Sequence, residues 1–184
     1  VQHIEVCRDL AGTFNHLYGD EIFRLPKPRL VDGAAKVPGT DGQKMSKSYG
    51  NTIEVFEDLP AQKKKIMRIT TDSRSMEEPK DPQKDHLYQL FSLLGSEREV
   101  FEMGELYRRG GFGYGEVKKA IFAAAEETFA AARERRYKLE SIPSRIDEIL
   151  ANGALRARAV AGTVLERARE ACGLRGSSVR GHKK

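Results

Sequence analysis

From residue 58 onward, apolar residues recur at intervals of three and four with few interruptions. This spacing places them on one face of an α-helix, so a mostly α fold is predicted. Met67 is expected beside Ile66 on the buried side of the first helix, and Asn152 with Gly153 is expected to stop the fifth. The predicted helices begin near residues 58, 87, 96, 115, 143 and 154, and the helix over 115–141 is expected to be the longest.

The first thirty or so residues have a different pattern. Residues 4–18 carry one apolar stripe that stops at Gly19, which predicts an amphipathic helix. Residues 22–25 are expected to form a short strand, and proline punctuation then leads to a second extended piece at Leu30 and Val31. We interpret this region as the last part of a nucleotide-binding α/β layer.

Charge and cysteine usage narrow the class of protein. The net charge of +5 and the pI near 9.2 favour a polyanionic partner such as nucleic acid. Cys7 and Cys172 lie at opposite ends of the chain, so neither a disulfide framework nor a zinc site is expected. No apolar run approaches the roughly 18 residues that a membrane span needs. We therefore expect a cytoplasmic protein with no membrane contact and no tightly bound metal.

The most informative motif is Lys-Met-Ser-Lys-Ser at residues 44–48, which follows the glycine-containing stretch 38–43 and precedes Asn51. A lysine ammonium is a compact charge, and two of them spaced three apart can meet neighbouring phosphoryl groups. The motif therefore predicts a loop that handles a polyphosphate. The alternative is a solvated, lysine-rich surface loop, which describes most occurrences of the bare Lys-x-x-Lys spacing.

The pentapeptide is identical to the second signature of class I aminoacyl-tRNA synthetases. Other segments resemble the bacterial tryptophanyl-tRNA synthetase family, in the same order: residues 2–5, 8–11, 14–15, 71–73, 115–119, 153–154 and 157–159. The resemblance runs from residue 1 to about Leu174. The tyrosyl-tRNA synthetases are similar in architecture and stand as the alternative, although they usually differ in the loop motif and in the opening helix.

The resemblance implies a domain organisation. Residues 1–56 would be the C-terminal remnant of a class I Rossmann-type α/β catalytic domain, and 57–174 an α-helical anticodon-binding bundle whose last helix packs back on the catalytic domain. Residues 175–184 are expected to form a disordered basic tail. The other class I signature, His-x-Gly-His, does not occur in the chain. We therefore expect the C-terminal half of a longer enzyme, inactive by itself, with the tryptophan pocket upstream.

The resemblance also implies an ATP site, whose residues are Val37, Lys44, Met45, Ser46, Lys47 and Ser48. Lys44 and Lys47 would be catalytic, because they would contact the phosphates and the leaving pyrophosphate. The two serines would hydrogen-bond around them, and Met45 would anchor the loop by packing. Val37 would lie against adenine, with Lys36 as its rival.

The implied reaction is attack of the tryptophan carboxylate on the α-phosphate of ATP, bound with Mg²⁺ as the substrate complex, followed by transfer to tRNA-Trp. A homodimer is expected for the complete enzyme. Two arginine- and tyrosine-containing clusters, at 107–109 and 133–137, have the chemistry to contact RNA, but this is also ordinary helix-surface chemistry and neither is assigned as a site. A non-catalytic, helical tRNA-binding module is the other alternative.

Overall fold

The computed structural model describes residues 2–19, 21–29 and 36–174. The predicted mostly helical fold is confirmed, and within these ranges no residue belongs to a named strand. Two short 3₁₀ turns cover Lys47–Tyr49 and Pro82–Lys84. The helices are α1 (Gln2–Tyr18), α2 (Leu59–Met67), α3 (His86–Ser92), α4 (Glu97–Arg109), α5 (Tyr114–Glu140) and α6 (Pro143–Ala171).

The chain divides into two compact units. One, the terminal unit, joins Val1–Arg29 to Leu139–Lys184, and the other, the central unit, spans Leu30–Lys138. The predicted boundary between residues 56 and 57 falls inside the central unit. The assignment of residues 1–56 and 57–174 to catalytic and anticodon-binding domains stays a prediction. The predicted tail at 175–184 and the extended piece at Leu30 and Val31 lie outside the described residues.

The hydrophobic core of the central unit is built from α2 to α5 and the loops between them. Tyr107 is its largest fully buried side chain, and its ring centroid lies 4.8 Å from that of Phe112 and 5.5 Å from that of Tyr88. The other buried members are Ile66, Ile69, Leu87, Leu90, Phe91, Val117 and Ile121. Met67 is on the exposed side of α2 instead of the buried side predicted for it, because the buried face of this helix runs through Gln62 and Ile66 and the residue after Ile66 is turned away from that face.

Capping residues define the starts of two helices and a glycine defines the end of one. Ser96 and Glu99 form the reciprocal capping box at the start of α4, and the N-cap Asp85 accepts hydrogen bonds from two amides of α3. Gly110 ends α4 with a φ of +74°, and a Cβ built there would lie 2.5 Å from the Glu77 carbonyl oxygen. Only glycine fits this combination of positive φ and close approach.

The terminal unit corrects the predicted strand at residues 22–25. Phe23 donates its backbone N–H to the Asn15 side chain at 2.9 Å and accepts from it at 2.8 Å. The Phe14 and Phe23 rings pack edge to face at 4.9 Å. In the same unit, Arg167 of α6 donates to the Ile22 carbonyl at 3.2 Å. Side chains thus satisfy the backbone groups that a neighbouring strand would otherwise take.

The expected stop at Asn152 and Gly153 is also wrong. Helix α6 runs through both residues and spans 29 residues, which makes it longer than α5 at 27. Gly153 is not among the glycines with positive φ and has open space around it. A glycine inside a helix costs roughly 1 kcal/mol relative to alanine. The leucines and alanines on both sides offset that cost, because they are strong helix formers.

Candidate functional site

The Lys-Met-Ser-Lys-Ser motif lies at the end of a short hairpin, which we call the lysine loop (residues 37–51). Pro38 and Lys44 form an isolated antiparallel bridge. The Gly39 amide donates to the Gln43 carbonyl at 2.7 Å, and the Met45 amide donates to the Val37 carbonyl at 2.8 Å. The turn between these arms therefore has a defined register, and the motif follows directly from it.

Asn51 closes the lysine loop from inside. The residue is only 3% exposed, and its side-chain oxygen accepts the Ser46 amide at 2.7 Å. Its side-chain nitrogen donates to Asp41 Oδ1 at 2.8 Å and to the Lys44 carbonyl at 3.2 Å. The hydrogen bond from Asn51 lowers the pKa of the Asp41 carboxyl group. Sequence reasoning named Asn51 only as the limit of the glycine-containing stretch.

Lys44 and Lys47 are both exposed. Across the residues that the structure describes, neither ammonium has a hydrogen-bond or ion-pair partner. Lys47 begins the 3₁₀ turn Lys47–Tyr49, which ends at Gly50 with a φ of +65°. Ser46 Oγ and Ser48 Oγ lie 2.8 Å apart and are hydrogen-bonded to each other. The loop thus presents two unpaired cations and two hydroxyl groups on one short stretch of backbone.

Met45 and Val37 line an apolar pocket of about 270 Å³. Val37 is partly buried and packs against the core cluster. The pocket is also lined by Ile53, Val55, Gln62, Ile66, Leu90, Leu93, Leu94, Ile121, Ala125 and Phe129. Met45 therefore lies where packing can anchor the loop. The adenine contact expected of Val37 stays a prediction.

The turn of the lysine loop is attached to α3 and to the segment that follows α2. The Thr70 amide donates to the Thr40 carbonyl at 2.9 Å, and His86 Nε2 lies 2.7 Å from the Thr70 carbonyl oxygen. Gly42 has a φ of +79°, and a Cβ built on it would approach the His86 ring to 3.3 Å. The contacts with Thr70 and His86 therefore hold the turn of the loop on the helical core, while the two lysines stay exposed.

Two candidate RNA contacts prove to have internal roles. The Arg133 guanidinium donates to the Val55 carbonyl at 2.7 and 3.0 Å and to Gln62 Oε1 at 2.9 Å. Tyr107 is fully buried and donates its hydroxyl to Asp85 Oδ1 at 3.1 Å. Burial raises the pKa of Tyr107 far above its ordinary value, with Asp85 adding to the shift. Neither side chain is therefore placed to stack on a base.

Lys80 is a buried cation that sequence reasoning missed. It is 4% exposed, and its Nζ donates to the carbonyls of Ser75 and Glu78 at 2.9 and 3.0 Å. The ammonium also lies 4.4 Å from the ring centroid of Phe112 and 5.4 Å from that of Tyr114. Cation–π attraction of this kind strengthens when the cation is shielded from water. Lys80 therefore holds the 75–80 loop against the start of α5.

The described part of the chain contains no group of three or more His, Cys, Asp and Glu side chains that could hold a metal ion. Its helices also include none that is long and apolar enough to cross a membrane. The two exposed and unpaired lysines of the lysine loop, as the described structure has them, give this loop the charge to bind an anion.

The chain is similar to several known proteins. The family model for "tRNA synthetases class I (W and Y)" matches residues 1–130. A tryptophan–tRNA ligase of Rhodopirellula baltica is 59% identical over 175 residues, which cover 95% of this chain and 54% of that protein. A tryptophan–tRNA ligase of Fusobacterium nucleatum is 40% identical over 176 residues, covering 96% of this chain and 54% of that protein.

The fold matches solved structures over a similar extent. A Campylobacter jejuni tryptophanyl-tRNA synthetase, described as complexed with ADP and tryptophan, superposes with a TM-score of 0.72 at 40% identity. The match covers 95% of this chain and 54% of that one. This chain thus spans about half the length of the relatives it matches. Because the family model matches well over half of its residues, the chain belongs to the class I tRNA synthetases of the tryptophan and tyrosine type.

Proposed function

We propose that this chain carries the ATP loop and the helical part of a tryptophan–tRNA ligase. The enzyme would activate tryptophan with ATP and transfer it to tRNA-Trp. The observation that carries the proposal is the lysine loop, where Lys44 and Lys47 are exposed and unpaired in the described structure while the backbone between them is held by Asn51. The 59% identity to the Rhodopirellula baltica ligase favours tryptophan over tyrosine.

The chemistry assigned to the lysines is charge stabilisation. The tryptophan carboxylate attacks the α-phosphorus of ATP, and the bond from that phosphorus to the bridging oxygen of the leaving pyrophosphate breaks. Negative charge grows on the pyrophosphate as the bond breaks, and positioned cations stabilise charge that develops in the transition state. Lys44 and Lys47 supply two such cations, and the Mg²⁺ that accompanies ATP as part of the substrate supplies further positive charge.

The other loop residues would support these two. The Ser46 and Ser48 hydroxyl groups are hydrogen-bonded to each other in this structure. Because a hydroxyl group can rotate, each of them could donate to a phosphate oxygen instead. Met45 would keep the loop seated through the apolar pocket that it lines. Val37 lines the same pocket, so an adenine contact would use the part of its surface that remains exposed.

The proposal assigns tRNA binding to the helical part, residues 57–174. The whole chain has a net charge of +5, which suits a polyanion, but residues 57–174 contribute only +1 of it, so this assignment rests on the similarity to tryptophan–tRNA ligases. Tryptophan would bind in a part of the enzyme outside this chain. A cytoplasmic location is part of the proposal, because the relatives that the chain matches are bacterial tryptophan–tRNA ligases. The expected homodimer stays a prediction.

A hybrid enzyme tests the proposal. In it, this chain replaces the matching 175 residues of the Rhodopirellula baltica ligase, which supplies the rest of the protein. We expect the hybrid to catalyse tryptophan-dependent exchange of pyrophosphate into ATP and to charge tRNA-Trp. A control hybrid with the equivalent part of a tyrosyl enzyme should fail to charge tRNA-Trp.

The two activities separate the parts of the proposal. A folded hybrid that performs no pyrophosphate exchange would contradict the assignment of the lysine loop to ATP. A hybrid that performs the exchange but does not charge tRNA-Trp would contradict the assignment of the helical part to that tRNA.

A further inference from the structure

We propose that Asn51 is a positioning residue for the lysine loop, acting through the backbone of residues 44–46 to set where the Lys44 and Lys47 ammonium groups stand. The inference rests on the proposed function of the loop and goes further, because it assigns the geometry of the two lysines to a side chain outside the pentapeptide. Asn51 does not touch the substrate in this account.

The carboxamide of Asn51 contacts the motif at two successive points. Its oxygen takes the Ser46 amide at 2.7 Å, and its nitrogen reaches the Lys44 carbonyl at 3.2 Å. These groups flank Met45, so the side chain spans the first turn of the motif as a backbone strand would. A carboxamide is suited to this role because it offers an acceptor and a donor in one plane.

Asn51 also contacts the hairpin turn that precedes the motif. Asn51 Nδ2 also donates to Asp41 Oδ1 at 2.8 Å, and the Asp41 carboxylate accepts the Gln43 amide at 3.0 Å. The Asn51 carbonyl accepts the Thr40 amide at 3.0 Å. Asn51 therefore links the turn before the motif to the motif itself, and the two cannot shift independently while these bonds hold.

The Asn51 side chain packs closely against Gly39. A Cβ built on Gly39 would lie 2.5 Å from both Cγ and Nδ2 of Asn51, and 2.7 Å from its carbonyl oxygen. A real Cβ cannot stand so close to a side-chain amide and a backbone carbonyl. Glycine at 39 is thus required by the position of Asn51.

We expect Asn51 to affect the reaction rate, because the rate depends on where the two lysine ammonium groups are placed. Misplacing a catalytic group by about 1 Å can lower a rate on the order of 100-fold. Lys44 and Lys47 have no ion pair to hold them among the described residues, so their position depends on the backbone that bears them. Asn51 is the buried side chain that fixes this backbone.

Hydrogen exchange of the Ser46 amide reports directly on its hydrogen bond to the Asn51 side chain. Its only hydrogen-bond acceptor among the described residues is Asn51 Oδ1. Protection of this N–H from exchange with solvent therefore measures whether the Asn51 side chain is in place. Amides inside α4 and α5, which bond within their own helices, serve as internal references.

The test compares Asn51→Ala, Asn51→Asp and the control Asn152→Ala, which removes an exposed asparagine of α6. We expect Asn51→Ala to lower protection of the Ser46 amide by at least about 10-fold, without changing the amides of α4 and α5. In the hybrid enzyme, the rate constant for pyrophosphate exchange should fall by about 10- to 100-fold with the KM for tryptophan unchanged. Asn152→Ala should leave both readouts as they are.

A second-site change separates positioning from loss of bulk. Asn51→Asp keeps an acceptor for Ser46 but places a carboxylate against that of Asp41, so like charges repel. Adding Asp41→Asn should restore Ser46 protection and part of the exchange rate in Asn51→Asp, but not in Asn51→Ala.

The outcomes are distinct from those that test the proposed function. Asn51→Ala with unchanged Ser46 protection overturns the inference, as does lost protection with an unchanged exchange rate. If the unmutated hybrid performs no pyrophosphate exchange, the proposed function fails, and with it the claim that Asn51 positions catalytic lysines. The Ser46 amide then still reports whether Asn51 holds the loop.

Discussion

The backbone amide of Thr70 donates a 2.9 Å hydrogen bond to the carbonyl of Thr40, which lies in the turn of the lysine loop. Thr70 follows α2, and its own carbonyl lies 2.7 Å from His86 Nε2 at the start of α3. The loop that bears the two lysines is thus attached to the helical core by a continuous run of hydrogen bonds. Disturbing either contact should loosen the loop without unfolding the helices.

Gly42→Ala tests the conformation of the turn in the lysine loop. The position requires a φ of +79°, and the new Cβ would also press on the His86 ring at 3.3 Å. A left-handed conformation costs a non-glycine residue about 1–2 kcal/mol, so thermal unfolding should show a loss of that order. The matched control is Gly115→Ala, at a helical position with open space around it. That variant should lose no stability, and equal losses in both variants would contradict the left-handed conformation assigned to Gly42.

Arg133 is predicted to act on stability and not on RNA affinity. Arg133→Leu leaves the Val55 carbonyl and Gln62 Oε1 without their donor. Unsatisfied buried acceptors cost about 1–3 kcal/mol, which urea unfolding should detect. Arg135→Leu, at an exposed position two residues on, should change the unfolding free energy by less than about 0.5 kcal/mol. If Arg133→Leu unfolds like the native chain, the internal role is wrong.

Tyr107 makes the central unit sensitive to alkali. Burial, and then the charge and hydrogen bond of Asp85, raise its pKa above the ordinary value of 10.0. A raised folded-state pKa means that the unfolded chain loses this proton first, so the stabilisation is complete below about pH 10 and is lost as pH rises further. Tyr107→Phe should lower stability at neutral pH by about 1 kcal/mol, through the lost hydrogen bond.

The same variant should weaken the dependence of stability on alkali. Urea unfolding at about pH 9 and about pH 11, on either side of the ordinary tyrosine pKa, measures how steeply the unfolding free energy falls as pH rises. A steeper slope in Tyr107→Phe than in the native chain would contradict the burial of the hydroxyl. Tyr114, whose pKa is raised first by burial and then by its bond to Asp72, accounts for part of the slope that remains.

Sequence reasoning succeeded where the controlling contacts are local. Ser96 and Glu99 are three residues apart, and Gly19 ends α1 with its own φ of +77°. Such signals are complete within one turn of helix. They fail where several neighbours outweigh one residue, as at Gly153, where strong helix formers carry α6 through a predicted stop.

The motif of the lysine loop could likewise be recognised in the sequence, but contacts between residues without a regular spacing could not. Arg133 donates to the Val55 carbonyl, 78 positions away in sequence, and Lys80 contacts the ring of Phe112, from which it is separated in sequence by α3 and α4. Asn51 is seven residues from Lys44, yet no helical or strand period relates the two. The pattern of a single chain does not encode such pairings, because they arise from the fold as a whole.

Lys44 and Lys47 are proposed to stabilise the pyrophosphate as it leaves. The most direct measurement is tryptophan-dependent pyrophosphate exchange by the hybrid carrying Lys44→Ala or Lys47→Ala, with Lys84→Ala as a control at an 85% exposed lysine side chain outside the loop. Both loop variants should lose rate by about 100-fold or more while tryptophan binding stays nearly intact, because the lost contacts form mainly in the transition state. Lys84→Ala should behave as the unmutated hybrid does. Unchanged exchange rates in both loop variants would contradict the account.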